Sequence, residues 1–149
     1  MKRTAKLPDL HLSVQYGCED DALADRSQIR RWCLAAQETA VQVTVRFVDA
    51  REGRTLNRDF RGKDYATNVL TFIYETTPVV GDLVVCIPVV KREAKAQKKT
   101  FRDHLAHMIV HGMLHLQGYD HETGTDDAET MEQHERDILA RFRIADPYA

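Results

Sequence analysis

The chain has 149 residues, an apolar fraction of 43% and a net charge of −2, so we predict one globular domain over residues 1–149. No apolar run is long enough to span a bilayer, and the basic start lacks the apolar segment of a secretory signal, which favours a cytoplasmic protein. The three cysteines form no CxxC pair and are expected to be reduced thiols rather than a disulfide framework.

The first half of the chain predicts two strands and two helices. Alternating apolar residues predict a strand over residues 10–16, and helical spacing predicts a helix over residues 27–39. Residues 41–49 alternate and are rich in β-branched side chains, which is the clearest strand signal in the chain. Residues 50–62 then predict a short helix that ends at a glycine.

The second half predicts two more strands and three more helices. The strands are expected over residues 68–75 and 81–87, with a turn at Gly81 and Asp82 between them. Pro88 is well placed to open the next helix. The three helices are expected over residues 88–99, 101–117 and 126–142.

This order of elements predicts an α+β fold. We expect a single small mixed sheet of about four strands, with helices packed mainly on one of its faces. Because the helix over residues 101–117 is apolar on most of its surface, it is expected to be buried at the centre of the fold.

Four histidines lie on that buried helix, spaced 3, 4 and 4 residues apart, so they share one stripe: His104, His107, His111 and His115. A lone histidine on such a helix is more often a satisfied core residue than a ligand, but four in register favour a metal site. Residues four apart can share an ion, whereas His107 and His115 are about 12 Å apart along the helix axis. The metal pair is therefore either His107 with His111 or His111 with His115.

The residues after the helix favour the second pair. Gly118 permits a left-handed turn that would bring His121 back against the last helical turn, giving the ligand set His111, His115 and His121. Three nitrogen ligands with an open fourth position are typical of a catalytic zinc, so we predict one Zn²⁺ ion, although imidazole also binds nickel, copper and iron. Asp120 is expected either to assist this site or to serve as a turn residue.

A glycine follows the first of these histidines, where zinc peptidases with the HExxH motif have the glutamate that acts as general base. Gly112 therefore argues against peptide hydrolysis, and it would also let another element approach the helix closely. Metal-activated water without a carboxylate base favours a phosphodiester as the substrate.

The charges are segregated in a way that suits a phosphate backbone. Residues 51–63 hold five Lys or Arg against two acids, and residues 89–103 hold six against two, whereas residues 119–137 hold eight acids against one arginine. Each basic segment alone is more often a solvated face, but two of them beside a metal site favour nucleic-acid binding. Within these segments, one basic stripe is formed by Arg51, Arg54, Arg58 and Arg61, and a second by Lys91, Lys95, Lys98, Lys99 and Arg102.

The motif HGMLHLQGYDH over residues 111–121 resembles HGxLHLxGYDH, the signature of the YbeY endoribonucleases, a family of bacterial rRNA maturation factors. Further matches are LNRDFRGKDYATNVLTF over residues 56–72, GDLVVC over residues 81–86 and the closing ADPY. The resemblance covers most of the chain and is weakest over the first 40 residues. One small departure is Thr71, where the family often has serine.

The resemblance implies a zinc-dependent, single-strand-specific endoribonuclease that acts in maturation of the 3′ end of small-subunit ribosomal RNA and in ribosome quality control. It implies zinc binding by His111, His115 and His121, and a catalytic role for Arg61, which would stabilise charge that grows on the phosphate oxygens. The implied partners are single-stranded RNA, ribosomal RNA, the small ribosomal subunit and its proteins, and the GTPase Era. Tyr65 or Tyr74 would either stack on bases or lie in the core.

Two alternatives remain open from the sequence. One is a zinc hydrolase that acts on a peptide or another amide. The other is a non-enzymatic RNA-binding assembly factor that uses zinc for stability, in which case loss of a histidine would unfold the domain.

Overall fold

The computed structural model describes residues 8–20, 22–120 and 124–149, which form a four-stranded sheet and five α-helices. In chain order the elements are β1 (Leu10–Tyr16), α1 (Arg26–Ala36), β2 (Val41–Val48), α2 (Ala50–Arg61), β3 (Val69–Thr76), β4 (Val79–Cys86), α3 (Ile87–Ala96), α4 (Phe101–Leu116) and α5 (Thr125–Ala140). Within these ranges no helix combines the length and the hydropathy needed to cross a membrane. The predicted α+β class is confirmed.

The sheet is mixed, with the strand order β1-β2-β4-β3. β1 pairs with β2, and β2 with β4, in parallel, while β3 runs antiparallel to β4. Parallel neighbours need a crossover connection, which α1 supplies between β1 and β2. A mixed sheet of about four strands was the prediction, and it is confirmed.

Alternation along β4 divides the apolar side chains between two core clusters. Leu83 and Val85 belong to the large cluster that also includes residues of α1, α4 and α5, whereas Val84 and Cys86 belong to a smaller cluster on the other face. Leu56 of α2 packs against that smaller cluster. Most helices therefore cover one face, as predicted, and α2 covers part of the other.

The ends of the central helix α4 follow the sequence signals. Thr100 is its N-cap, and the Thr100 hydroxyl accepts a hydrogen bond of 3.1 Å from the backbone N–H of Asp103. Beyond the helix, Gly118 has φ +105°, the left-handed backbone that was predicted there.

The predicted turn at Gly81 and Asp82 is wrong, because both residues lie inside β4 and the turn falls at Thr77 and Pro78. A Cβ atom at Gly81 would lie 2.4 Å from the carbonyl oxygen of Phe72 on the neighbouring strand. Glycine is needed here for the close approach of two strands and not for a turn. The N-cap of α5 is Gly124, and no side chain of the described residues caps that helix.

Candidate active site

Two histidines of α4 open onto a cleft. From His104 to Leu116 every residue is buried except His111 and His115, which are half-buried. The cleft has a volume of about 340 Å³, within the range of ligand sites. Its other walls come from α2, the segment that follows α2, and the start of β3: Asn57, Arg61, Lys63, Tyr65, Thr67, Val69, Leu70 and Thr71.

The ring of His111 is oriented by a carboxylate on α5. Nδ1 of His111 lies 2.8 Å from Oε1 of Glu135. Because an ionised carboxylate only accepts hydrogen bonds, Nδ1 donates, and coordination of a metal in the cleft falls to Nε2. A histidine that donates its other ring N–H to a carboxylate is the usual arrangement of a metal ligand.

The ring of His115 is oriented by a backbone carbonyl. Its Nδ1 lies 3.0 Å from the carbonyl oxygen of Tyr119, which only accepts. The positive φ of Gly118 folds the chain back, and the backbone N–H of Tyr119 donates to the carbonyl of Leu114 over 3.1 Å. This turn leaves Nε2 of His115 as the nitrogen with a lone pair, so His115 suits a metal as His111 does. His121, the third predicted ligand, lies outside the described residues.

Glu135 is fully buried and accepts three hydrogen bonds. Besides His111, Nε2 of His107 lies 3.0 Å from Oε1, and the hydroxyl of Tyr148 donates to Oε2 over 2.7 Å. Burial raises the pKa of Glu135, but the hydrogen bonds from His107, His111 and Tyr148 together lower that pKa to about 2. Burial raises the pKa of Tyr148, and the hydrogen bond to Glu135 raises it further. Glu135 is therefore an anion held inside the protein next to His111.

A second group of possible ligands overlaps the first. His107, His111 and Glu135 each offer one ligand atom, and these atoms lie within 4.8 Å of one another, so the group could hold a metal ion. Its nitrogen and oxygen donors suit a transition metal such as zinc. In the structure the same atoms are joined to each other by hydrogen bonds, so an ion at this position has to displace those protons.

Arg61 is at the C-terminal end of α2 and lines the cleft. Its guanidinium donates a hydrogen bond to the carbonyl of Thr71 and lies 5.3 Å from the centroid of the Phe72 ring. Buried Asn57 supports the same wall, because its side-chain amide donates to the carbonyl of Tyr65 over 2.8 Å. Among the residues that the structure describes, Arg61 and Lys63 are the cations that line the cleft.

The rest of the two predicted basic stripes does not reach the cleft. Arg54 pairs with Asp64 at 2.8 Å, and Arg58 pairs with its neighbour Asp59 at 3.0 Å. In the second stripe, Lys91 pairs with Asp20, and Arg102 donates to Gln28 over 2.6 Å. The positive charge at the site is therefore concentrated on the end of α2 and the segment after it.

The two tyrosines considered for base stacking have different surroundings. Tyr65 is 55% exposed and lines the cleft. Tyr74 is 62% exposed, and its hydroxyl donates to Asp82 over 2.7 Å, away from the residues that line the cleft. Neither lies in the core.

Sequence reasoning missed Glu135, although the sequence does contain a signal. The buried residues of α5 are Met131, Glu135, Ile138 and Leu139, which share one helical stripe. A carboxylate in an otherwise apolar stripe has to find buried partners, because an isolated buried charge is costly. His134, also on α5, is half-buried, with its ring centroid 4.9 Å from that of Tyr119.

Comparison with known proteins gives one consistent result. A sequence model of the family described as Endoribonuclease YbeY matches residues 19–143. A protein of Delftia acidovorans named Endoribonuclease YbeY is 50% identical over 149 residues, which cover 96% of this chain and 98% of that protein. One of the same name from Thiobacillus denitrificans is 54% identical over 144 residues, covering 95% and 97%. The solution structure of TM1509 from Thermotoga maritima is 28% identical, with a TM-score of 0.60, and covers 89% of this chain and 91% of that one.

Proposed function

The chain belongs to the YbeY family of endoribonucleases, hydrolases that act on RNA, and we propose that its cleft is a zinc site that cuts single-stranded RNA. The observation that carries this proposal is the convergence of His111, His115 and Arg61 on one cleft, with each histidine oriented through Nδ1. We expect the ligand set to be His111, His115 and His121.

The residues at the site fit a zinc ion. Two neutral imidazoles one helical turn apart, each donating its Nδ1 proton to an acceptor, are suited to bind one ion through Nε2. When bound, zinc supplies Lewis-acid polarisation of a phosphate oxygen or a water molecule.

The cations of the cleft have a separate task. Arg61 is held by Thr71 and Phe72, so its guanidinium is fixed before a substrate binds. A fixed guanidinium stabilises the charge that develops on the nonbridging oxygens of a phosphodiester more than it stabilises the ground state. Lys63 adds a second positive charge to the same wall. The proposed role of Arg61 is therefore catalytic, and that of Lys63 is to attract the RNA backbone.

Peptide hydrolysis is the less favoured alternative. A Cβ atom at Gly112 would lie 2.1 Å from Cδ1 of Leu83, so a glutamate at this position requires the Leu83 side chain to move. The glycine has the packing role that the sequence suggested, and the position of the HExxH base carries no carboxylate.

We further propose that the cellular substrate is the 3′ end of small-subunit ribosomal RNA, cut in the cytoplasm. The small ribosomal subunit, its proteins and the GTPase Era are the proposed partners. The support is the motif resemblance over residues 56–72 and 111–121, together with the cations Arg61 and Lys63 in the cleft.

The test is cleavage of a labelled single-stranded RNA, and of the same sequence annealed to its complement, in the presence of zinc. The variants are Arg61→Ala and Arg61→Lys, with Arg51→Ala as the matched control, since Arg51 is exposed on the same helix and does not line the cleft. We expect Arg61→Ala to lower the rate by about 10²- to 10³-fold and Arg51→Ala to leave it unchanged. Equal cleavage by all of the proteins would contradict the proposal, and RNA binding without cleavage would favour the assembly factor.

A further inference from the structure

An aromatic pair, Phe60 and Phe72, lies next to Arg61, which lines the cleft. Phe60 is 67% exposed, the largest exposed fraction among the large apolar side chains of the described residues. Its neighbour Phe72, on β3, is half-buried against the smaller core cluster. A single exposed apolar side chain is ordinary by itself, so what makes Phe60 informative is its contact with Phe72 next to Arg61.

The geometry of this pair connects it to the cleft. The guanidinium of Arg61 lies 5.3 Å from the centroid of the Phe72 ring. The Phe72 ring lies 5.6 Å from the Phe60 ring at an interplanar angle of 75°, an edge-to-face contact. Arg61 therefore lines the cleft and also contacts Phe72, which in turn contacts Phe60.

The charges around the pair suit a polyanion. Arg61 and Lys63 have no carboxylate partner within the described ranges, so both cations remain for phosphate groups. Asp59, next to Phe60 in the chain, is paired with Arg58 at 3.0 Å, which offsets its negative charge. Cations that follow a backbone, with an aromatic face beside them, are the arrangement with which proteins bind single-stranded nucleic acid.

We propose that Phe60, supported by Phe72, is a base-stacking site for a nucleotide that flanks the one bound in the cleft. This inference rests on the proposed function and adds a defined contact to it. The base stacks on the exposed face of Phe60 while the adjoining phosphates lie at Arg61 and Lys63. Stacking of this kind accepts any base and requires an unpaired one, so the site selects single strands without selecting sequence.

The test measures binding of two single-stranded oligonucleotides of eight units, both 2′-O-methylated to slow cleavage. One has bases, and the other is the abasic sugar-phosphate backbone. The proteins are the parent, Phe60→Ala, Phe60→Trp and the control Leu34→Ala, which removes an exposed apolar side chain from α1, a helix that contributes no residue to the cleft. Circular dichroism checks the folding of each protein.

We expect Phe60→Ala to bind the oligonucleotide with bases about tenfold more weakly than the parent, and to bind the abasic one equally well. Leu34→Ala should match the parent on both. Phe60→Trp should restore affinity, and its fluorescence should be quenched by the oligonucleotide with bases only. The natural Trp32 is 1% exposed and gives a constant background.

Parental affinity of Phe60→Ala, without quenching in Phe60→Trp, would overturn the stacking site while the parent still cleaved RNA. An equal loss on both oligonucleotides would also overturn it, because the effect would then not depend on a base. If the parent neither bound nor cleaved RNA, the proposed function itself would fail.

Discussion

At the scale of single residues, the site depends on hydrogen bonds that fix the histidine rings. The stripe of four histidines could be predicted because helical spacing is a local property. The contact between His111 and Glu135 could not, because it joins residues 24 positions apart on two helices whose packing the spacing does not determine. The same holds for Tyr148, which reaches Glu135 from the end of the chain.

Glu135→Gln should weaken zinc binding about 10- to 100-fold, because the variant keeps the shape of the side chain and removes the charge that orients His111. Zinc affinity is measured by competition with a chromophoric chelator. Glu129→Gln, an exposed change on the same helix, serves as the control. Unchanged affinity of Glu135→Gln would mean that the carboxylate does not support a ligand.

Two histidine variants separate the two possible ligand sets. If zinc is bound in the cleft, His115→Ala should lose most of its affinity and His107→Ala should retain most of it, because His107 contacts Glu135 and not the cleft. The same competition assay measures both, after circular dichroism has established that each protein is folded. The reverse order of affinities would assign the ion to His107, His111 and Glu135.

At the scale of elements, periodicity predicted the strands and helices well, while the glycines were ambiguous. Gly81 and Gly112 both allow another element to approach closely. The backbone of Phe72 on β3 packs against Gly81, and the side chain of Leu83 on β4 packs against Gly112. A glycine in a sequence indicates a turn or a close contact equally well, and only the tertiary arrangement decides which. The packing role predicted for Gly112 was correct, and the turn predicted at Gly81 was not.

Gly112→Ala should destabilise the fold by about 1–3 kcal/mol, because the added methyl group overlaps Leu83. Urea unfolding of Gly112→Ala, Leu83→Ala and the double variant measures the effect. We expect the double variant to be more stable than the sum of the two single changes implies, since Leu83→Ala makes room for the methyl group. If the changes in the free energy of unfolding were strictly additive, residue 112 and Leu83 would not be in steric conflict.

At the scale of the whole molecule, α4 is surrounded by α1, α3, α5 and the sheet, so the large core cluster does not need a metal to hold it together. This is the arrangement expected of a catalytic ion and not of a structural one. The fold class could be predicted from the order of elements, whereas the single domain over residues 1–149 stays a prediction.

Removal of metal with a chelator should leave the circular dichroism spectrum unchanged. The thermal midpoint should fall only by the amount that binding of the ion to the folded state had raised it. A single cooperative transition should be seen with and without zinc, as expected for one domain. Unfolding on chelation would instead identify a structural zinc and favour the assembly factor.

The most direct test of the account is single-turnover cleavage of an RNA with the small-subunit 3′ end by zinc-loaded parent and by His115→Ala. We predict that the parent cuts the single strand and that folded His115→Ala does not, because the cleft has lost a zinc ligand. Cleavage at the parental rate by folded, zinc-depleted His115→Ala would contradict it and would place the chemistry elsewhere on the molecule.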